Sequence, residues 1–340
     1  MWVKVYPMNL VHKSVSQGGK LAPLIVPHNL PDNTGIMNPS IFIDDDGDIL
    51  VNVRCVNYTL YISEEDERFF SPWGPLTYLH PEKDQRLVTF NYMCRLDKDL
   101  NLINSTQVEM LNLHKPIWEF HGLEDARVVR WDGDLYMIGV RRDTTPNGQG
   151  RMEYSKIDLD KDKWTAKEVS RVRMPAPLHE DTSYCEKNWM PIIDFPYHFV
   201  KWAMPTEVVW SNPEKPETVQ EFTRETPTSP KDQRGGSHII PWGDYYICFT
   251  HEVALWRNYL NQKDSVYRHR LIVWDNDFNF KGLSKEFAFM DVKIEFCTGA
   301  AVRDNNLLVS FSVADNAAFI LEIPRHVVNG LITEALSYVG

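Results

Sequence analysis

Apolar positions in this chain fall in short runs of β-branched and aromatic residues, some alternating with polar ones and some continuous, broken by Asp, Asn and Gly clusters. Such runs bounded by turn residues mark strands, and helical periodicity is scarce. One arrangement recurs five times: a small or polar cluster, a short apolar strand, a turn, and a second apolar strand. The copies are Asn38–Ile43 with Ile49–Arg54, Glu124–Val129 with Leu135–Val140, Glu186–Ile193 with His198–Ala203, Arg234–Ile240 with Tyr245–Thr250, and Glu295–Val302 with Leu307–Phe311. Their equivalent polar positions lie 87, 63, 49 and 61 residues apart, enough for the rest of a four-stranded sheet plus loops. The pattern predicts an all-β fold: a single five-bladed β-propeller over residues 1–340, with blade hairpins near 38–54, 124–140, 186–203, 234–250 and 295–311. The polar cluster heading each copy falls where an innermost strand meets the central channel, so five clusters converge on one candidate active site. Asn212–Asp232, rich in Pro, Thr, Glu and Lys, reads as a mobile surface loop or inter-blade excursion. Pro324–Leu336 reads as a short helix.

Composition narrows the classes. A formal net charge of −11 argues against a duplex nucleic-acid partner, which needs a basic footprint. No basic block marks a membrane-surface segment, and no apolar run reaches transmembrane length. Met1–Leu10 lacks the layout of a secretory leader, which gives a cytoplasmic expectation. The five cysteines are odd in number and widely spaced, without a Cys-x-x-Cys pair. They read as buried thiols in a reducing compartment rather than as disulfides or zinc ligands. Asp44-Asp45-Asp46-Gly47-Asp48 lacks the length and distal Glu of a calcium loop and reads as a hairpin turn.

Four motifs, in order and each beside a hairpin, carry a resemblance. They are Asn38-Pro39 with Arg54, Gly122-Leu123-Glu124-Asp125-Ala126-Arg127, Glu186-Lys187-Asn188-Trp189, and Val313-Ala314-Asp315-Asn316. Over roughly Asn38 to Glu322 the chain resembles glycoside hydrolase family 130, the β-mannoside phosphorylases and hydrolases, and related mannosyl-transferring propellers. The resemblance implies that Asp125 is the general acid, acting through a sugar hydroxyl. It implies that Asn38 and Arg54 belong to the first sugar-binding blade, that Lys187 of the Lys187-Asn188 element helps hold phosphate, and that Asp315 binds the sugar at the cleaved bond. It also implies no metal or organic cofactor, with inorganic phosphate or a sugar phosphate as co-substrate, and self-association into a homo-oligomer. Two positions depart from the family. Ala126 replaces its Pro, and Trp202-Ala203-Met204-Pro205 lacks the His of its phosphate-contacting His-Arg-Pro stretch. Transfer from another donor therefore stands beside phosphorolysis.

The chemistry of the residues sorts the remaining candidates. Cleaving a glycosidic bond needs an acid for the leaving oxygen, and an inverting hydrolase also needs a second carboxylate to activate water. A phosphorylase needs cations instead. Asp125 is the candidate acid; its alternative is a turn or salt-bridge Asp. Arg127 and Asn188 are substrate-binding candidates, with structural pairing as the alternative for Arg127. Lys187, Arg141, Arg142 and Arg234 are the anion-binding candidates, and a solvated loop pair is the other reading of Arg141 and Arg142. Glu252 and Glu295 are the candidate second carboxylates, and His251 is a core histidine or a site residue. Trp189 and Tyr92 are core or sugar-stacking aromatics. Arg268-His269-Arg270 reads as a solvated face or a phosphate-facing rim. Three functions follow: an inverting mannoside phosphorylase or glycosyltransferase, an inverting hydrolase, or a non-catalytic sugar-binding propeller, each with an oligosaccharide or sugar-phosphate partner.

Overall fold

The computed structural model describes residues 7–27, 35–57, 87–113, 115–117, 120–145, 148–177, 185–215, 217–229, 231–257 and 263–338. Its strands form five antiparallel meanders of four. The first runs through Gly35–Ile43, Ile49–Val56, Leu87–Leu96 and Leu102–Glu109. The second runs through Glu124–Trp131, Asp134–Arg141, Arg151–Asp160 and Thr165–Arg173. The third comprises Met190–Pro191, His198–Trp202, Thr206–Ser211 and Thr218–Arg224. The fourth comprises Ile240–Trp242, Tyr245–Arg257, Lys263–Trp274 and Phe280–Leu283. The fifth takes Glu295–Arg303, Asn306–Val313 and Ala317–Ile323, and an N-terminal segment, Lys20–Leu24, supplies its outer strand. The first two meanders join edge to edge through a short parallel pairing of Val108–Glu109 with Ala166–Lys167, so five meanders make four hydrogen-bonded sheets.

Alternation along the strands decides the packing. Val51 and Val53 point one way and Leu50 the other, so each sheet is apolar on both faces. Five buried apolar clusters result, each shared by two neighbouring meanders. Phe42, Leu50 and Met93 pack on Val128, Met137 and Trp164, and Val129, Trp131 and Tyr154 on Trp189, Phe199 and Val209. Met190 and Val200 meet Cys248 and Trp274, Phe249 and Leu271 meet Val309 and Phe311, and Leu308 and Ile320 return to Ile41 and Val51. The pairs close on themselves, first to second and onward to fifth with first. Helix Arg325–Leu336 covers the fourth and fifth meanders with Val327, Val328, Leu331 and Ile332.

Two expectations need correction. Thr218–Arg224, inside the stretch read as a loop, is a strand paired with Thr206–Ser211. The Pro residues flanking it masked the β-branched and aromatic content of Thr-Val-Gln-Glu-Phe-Thr. In the third and fourth copies the leading strands are short, Met190–Pro191 and Ile240–Trp242, and single bridges flank them, Ile192 to Ile239 and Arg234 to His251. The acidic loop is a turn, with Asp44 N–H donating to the Asp48 carbonyl at 2.9 Å. Its charges are filled by the protein itself: Lys161 Nζ lies 2.7, 2.5 and 3.0 Å from the carboxylates of Asp44, Asp46 and Asp48. All five cysteines are free. No helix among the described residues is long and apolar enough to cross a membrane.

Candidate active site

The leading strands of the repeats are bulged where their polar residue sits. Register slips fall between Met37 and Ser40, between Glu124 and Arg127, and between Cys297 and Gly299. A bulge re-aims a side chain out of the pleat. At three of these leading positions Asn38, Asp125 and Asn188 adopt left-handed backbone, with φ of 46°, 52° and 61°. Asn and Asp are the side-chain-bearing residues that tolerate this region best, which explains their recurrence there. In the fourth copy Gly235, without left-handed backbone, answers to a close approach instead: a Cβ there would lie 1.8 Å from the Asn188 carbonyl oxygen.

Hydrogen bonds tie the five leading segments together. Thr298 Oγ1 donates to the Pro39 carbonyl at 2.7 Å, and Val128 N–H donates to Ser40 Oγ at 3.1 Å. Buried His238 bridges the Val128 carbonyl, 2.9 Å from Nε2, and the Ala300 N–H, 3.2 Å from Nδ1. Arg127, also buried, reaches across to the third and fourth copies. Its Nη2 and Nε donate to the Gly236 carbonyl at 2.8 and 3.1 Å, its Nη1 to the Asp125 carbonyl at 2.7 Å, and its guanidinium grazes Asn188 Oδ1 at 3.4 Å. Burial pulls its pKa down to about 10 against the pull of Asp125. Arg127 and Asn188 thus act here as the lacing between segments.

Asp125 lies at the crossing point. Its Oδ1 accepts from Asn38 Nδ2 at 2.6 Å and from Arg54 Nη1 at 2.7 Å. Asn38 is itself oriented by Ser312, whose hydroxyl donates to Asn38 Oδ1 at 2.7 Å. Arg54 is steadied by Thr89 Oγ1 at 3.2 Å and by Glu124 at 3.5 Å. Burial alone would raise the Asp125 pKa; Arg54, the Asn38 hydrogen bond, Arg127 and Lys187 outweigh it and hold the group at about 2. Asp315 has the opposite environment. Among the described residues it accepts no hydrogen bond and joins no ion pair, and burial plus the Asp125 charge push it up to about 6 against Arg54.

The opposite flank carries cations without partners. The side chains of Lys187, exposed, and Arg234, half-buried, make no ion pair or hydrogen bond among the described residues. Both charges bear on His251, a buried ring that burial and then His269, Arg234, Lys187 and Arg127 keep neutral, far below the usual histidine range. Its Nδ1 has no partner. Tyr267 stacks flat on His251, ring centroids 5.6 Å apart at 6°, and its hydroxyl has no hydrogen bond among the described residues. Burial and the charges of Asp315 and Asp125 raise that phenol to about 12, against Arg234, so it lies within the field of both carboxylates and the cation. Sequence reasoning did not single out Tyr267. It left little trace, one Tyr among the charged residues Glu252, Arg268 and Arg270 of the long hairpin.

Other candidates are engaged elsewhere. Arg141 is buried and paired with Glu153 at 2.8 Å and Asp143 at 3.4 Å, while Asp143 also accepts the Gly122 N–H at 2.8 Å. Arg142 lies 3.8 Å from Glu124 and 3.4 Å from Cys185 Sγ. Glu252 is bound by Arg270, by Gln233 at 2.8 Å and by Lys231 at 3.1 Å. Glu295 accepts the N–H groups of Phe289, Met290 and Val292 at 2.6, 2.7 and 3.0 Å. Trp189 is in the core, and buried Tyr92 bonds Gln107 at 3.3 Å. Arg268 pairs with Asp291 at 3.2 Å.

No family model matches the chain, and no curated protein matches it in sequence. Solved structures do match in shape. A β-1,2-mannobiose phosphorylase from Listeria innocua, in complex with β-1,2-mannobiose, superposes with a TM-score of 0.55 at 12% identity, over 92% of this chain and 97% of that one. A glycosyl hydrolase from Bacteroides ovatus superposes with a TM-score of 0.54 at 10% identity, over 86% and 85%. This chain shares their fold.

Proposed function

We propose that this protein is a sugar-transferring enzyme acting on mannosides with an anionic co-substrate, a phosphorylase or mannosyltransferase. Its five meanders are the blades of one propeller spanning the chain, and Asp125 lies at the centre of the active site. The observation that carries the reading is the pairing of a two-carboxylate centre with cations that have no partner among the described residues. Lys187 and Arg234 suit a phosphate, either free or at the head of a sugar phosphate, which the carboxylates alone would repel. Asn38, Arg54 and Asp315 are left to bind the sugar. In a single displacement with inversion, a phosphate oxygen attacks the anomeric carbon while the glycosidic oxygen leaves with a proton. The shared shape with a mannobiose phosphorylase supports the sugar class.

Hydrolysis is the weaker reading. It needs a second carboxylate to deprotonate water, and both sequence candidates, Glu252 and Glu295, are already bound by the protein's own donors. A binding module without catalysis has no use for carboxylates whose pKa values are driven apart.

The test is phosphate release from mannose 1-phosphate offered with a panel of sugar acceptors, run beside Lys187→Met. Release by the wild type that falls at least tenfold in the variant supports the reading. Release of mannose with water alone as acceptor would replace it with hydrolysis, and turnover of a nucleotide-linked mannose in place of mannose 1-phosphate would place the protein among transferases.

A further inference from the structure

Resting on that reading, we infer that Asp143 is a positioning residue for the reacting centre. By holding the Gly122 N–H it fixes the segment that carries Asp125, and through Thr89 and Arg54 it fixes the direction in which the Asp125 carboxylate faces the sugar. Asp143 lies two residues past the strand Asp134–Arg141. It is buried, and its Oδ2 accepts the Gly122 N–H at 2.8 Å. Its backbone carbonyl accepts the Ile117 N–H, also at 2.8 Å. Asp143 thus grips the approach to Asp125 at two points. Arg142, beside it, adds a third contact, 3.8 Å from Glu124.

The other side of this segment rests on the first meander. Phe120 and His121 pair in parallel with Leu87 and Val88. Gly122 follows with left-handed backbone, φ 97°, and a Cβ there would lie 2.4 Å from the Thr89 carbonyl oxygen. Glycine alone allows both that backbone and that approach. Asn91 Nδ2 donates to the Leu123 carbonyl at 3.0 Å, and Asn52 Nδ2 donates to Asn91 Oδ1 at 3.1 Å. Two buried amides in series therefore hold the residue after Gly122. Asp125 comes two residues later, inside the bulge between Glu124 and Arg127. Gly122 is the one point of the segment caught from both meanders, by Asp143 on one side and Thr89 on the other.

Thr89 carries the contact on to the carboxylate. Its hydroxyl accepts from Arg54 Nε at 3.2 Å, and Arg54 Nη1 donates to Asp125 Oδ1 at 2.7 Å. Asn38 binds the same oxygen at 2.6 Å, so Oδ2 is the oxygen left for the substrate. Asp143 is itself braced: Arg141 Nη1 lies 3.4 Å from its Oδ2, and Arg141 Nε donates to Glu153 at 2.8 Å. The chain of contacts runs from Glu153 through Arg141, Asp143, Gly122, Thr89 and Arg54 to Asp125. Removing the Asp143 carboxylate leaves the Gly122 N–H without its acceptor and frees the glycine to lift from Thr89. Arg54 then loses its rest, and Asp125 loses its direction. A displacement of about 1 Å at a reacting group costs about 10²-fold in rate. Lys187 and Arg234 belong to other meanders and stand outside this chain.

Three variants test the clamp. Asp143→Ala removes the acceptor, Asp143→Asn keeps an oxygen for the Gly122 N–H, and Met137→Ala weakens the core of the same meander without touching the chain. With mannobiose and phosphate, Asp143→Ala is expected to lose about 10²-fold in kcat while the KM for phosphate stays within about twofold. Asp143→Asn should return to within about fivefold of the wild type, and Met137→Ala should keep its kcat. Should Asp143→Ala fold poorly, Thr89→Val breaks the chain further along and is expected to show the same loss in kcat at unchanged phosphate KM. A wild-type kcat in either of these two variants, or equal losses in Asp143→Ala and Asp143→Asn, would overturn the proposal. Hydrogen exchange decides the same point without turnover. The Arg54 Nε–H signal, identified by NMR through its absence in Arg54→Lys, reports the contact with Thr89. Its exchange should quicken at least about tenfold in Asp143→Ala and keep the wild-type rate in Met137→Ala. Unchanged exchange in Asp143→Ala would sink the clamp whether or not turnover is found. Quickened exchange beside a wild type that turns over neither mannobiose nor mannose 1-phosphate would instead remove the mannoside reading and leave the clamp standing.

Discussion

Asn38, Arg54, Asp125 and Arg127, from the first two meanders, hold one another in a lattice of short hydrogen bonds. Lys187, Arg234 and Tyr267, from the third and fourth, act on the same centre through their charge or field, and their polar side-chain atoms bond nothing among the described residues. The first flank is already in its working geometry, so a sugar hydroxyl would meet groups that need no rearrangement. The second carries charge that no group among the described residues satisfies, the condition of a site awaiting an anion. The contrast also separates stability from function: removing a member of the first flank damages the fold, and removing a member of the second should spare it.

The largest effects are expected on the pinned flank. Arg54→Met leaves the Asp125 carboxylate buried without its charge partner, a change that costs about 3–5 kcal/mol when an ion pair is broken from one side. Denaturant melts read this directly. Asp125→Asn should be milder for the fold, since Arg54 keeps Glu124, yet it should lower turnover of mannobiose and phosphate about 10³-fold. If Arg54→Met melts like the wild type, the flank is not prestressed and the contrast fails.

On the open flank, Lys187→Met and Arg234→Met should each raise the KM for phosphate about 10–100-fold, the loss of one charge-assisted contact. Stability should stay within about 0.5 kcal/mol, as for surface substitutions that break no partner. A melting shift as large as that of Arg54→Met would show that these cations are structural after all.

Beneath both flanks lies a layer of neutral histidines, and it responds to pH. Burial pulls His269 to about 3; burial and then the Arg127 charge do the same for His238. Their folded pKa values lie below the unfolded value near 6.5, so the unfolded chain takes up protons first as pH falls. Stability is therefore full above about 6.5 and drops toward 3, by up to about 1.4 kcal/mol per pH unit for each histidine. His269 also has both ring nitrogens unpartnered among Phe287 and Phe289. His269→Phe should then raise stability by about 1–2 kcal/mol at pH 7 and flatten the acid slope. Melts at pH 5 and pH 7 measure both.

How much of this was legible in the sequence follows from the range of each interaction. The hairpins of the first, second and fifth copies stand where alternation places them, because strand pairing and turn chemistry are local. The leading strands of the third and fourth copies are shorter than alternation predicts, with single bridges, one between these two meanders and one within the fourth, beside their short ladders. Asp125, Asn38 and Arg54 were legible as polar residues at the start or end of apolar hairpins. Their mutual contact, across 87 and 71 residues, was not. The pairing of Arg141 with Glu153 and of Glu295 with the backbone at Phe289–Val292 was not legible, because these partners are recruited only once the strands pair. Lys187 could be suspected from the sequence because a lysine beside a buried Asn-Trp pair has no apolar use.

Tyr267 lies between the two flanks and sharpens the comparison most finely. Its hydroxyl stays protonated at neutral pH, with the phenol raised to about 12, so it acts only as a donor toward an approaching anion or sugar oxygen. Its ring is anchored by the stack on His251, which Tyr267→Phe preserves. The substitution therefore removes one neutral hydrogen bond and little else, about 1 kcal/mol or roughly fivefold in rate. If Tyr267 serves the carboxylate side, that loss appears in kcat/KM for the mannoside and leaves the KM for phosphate unchanged. If it serves Arg234, the phosphate KM rises instead and the mannoside term holds. An equal loss in both would mean that one hydroxyl bridges the two flanks, and the division between a pinned and an open half would then end at this residue.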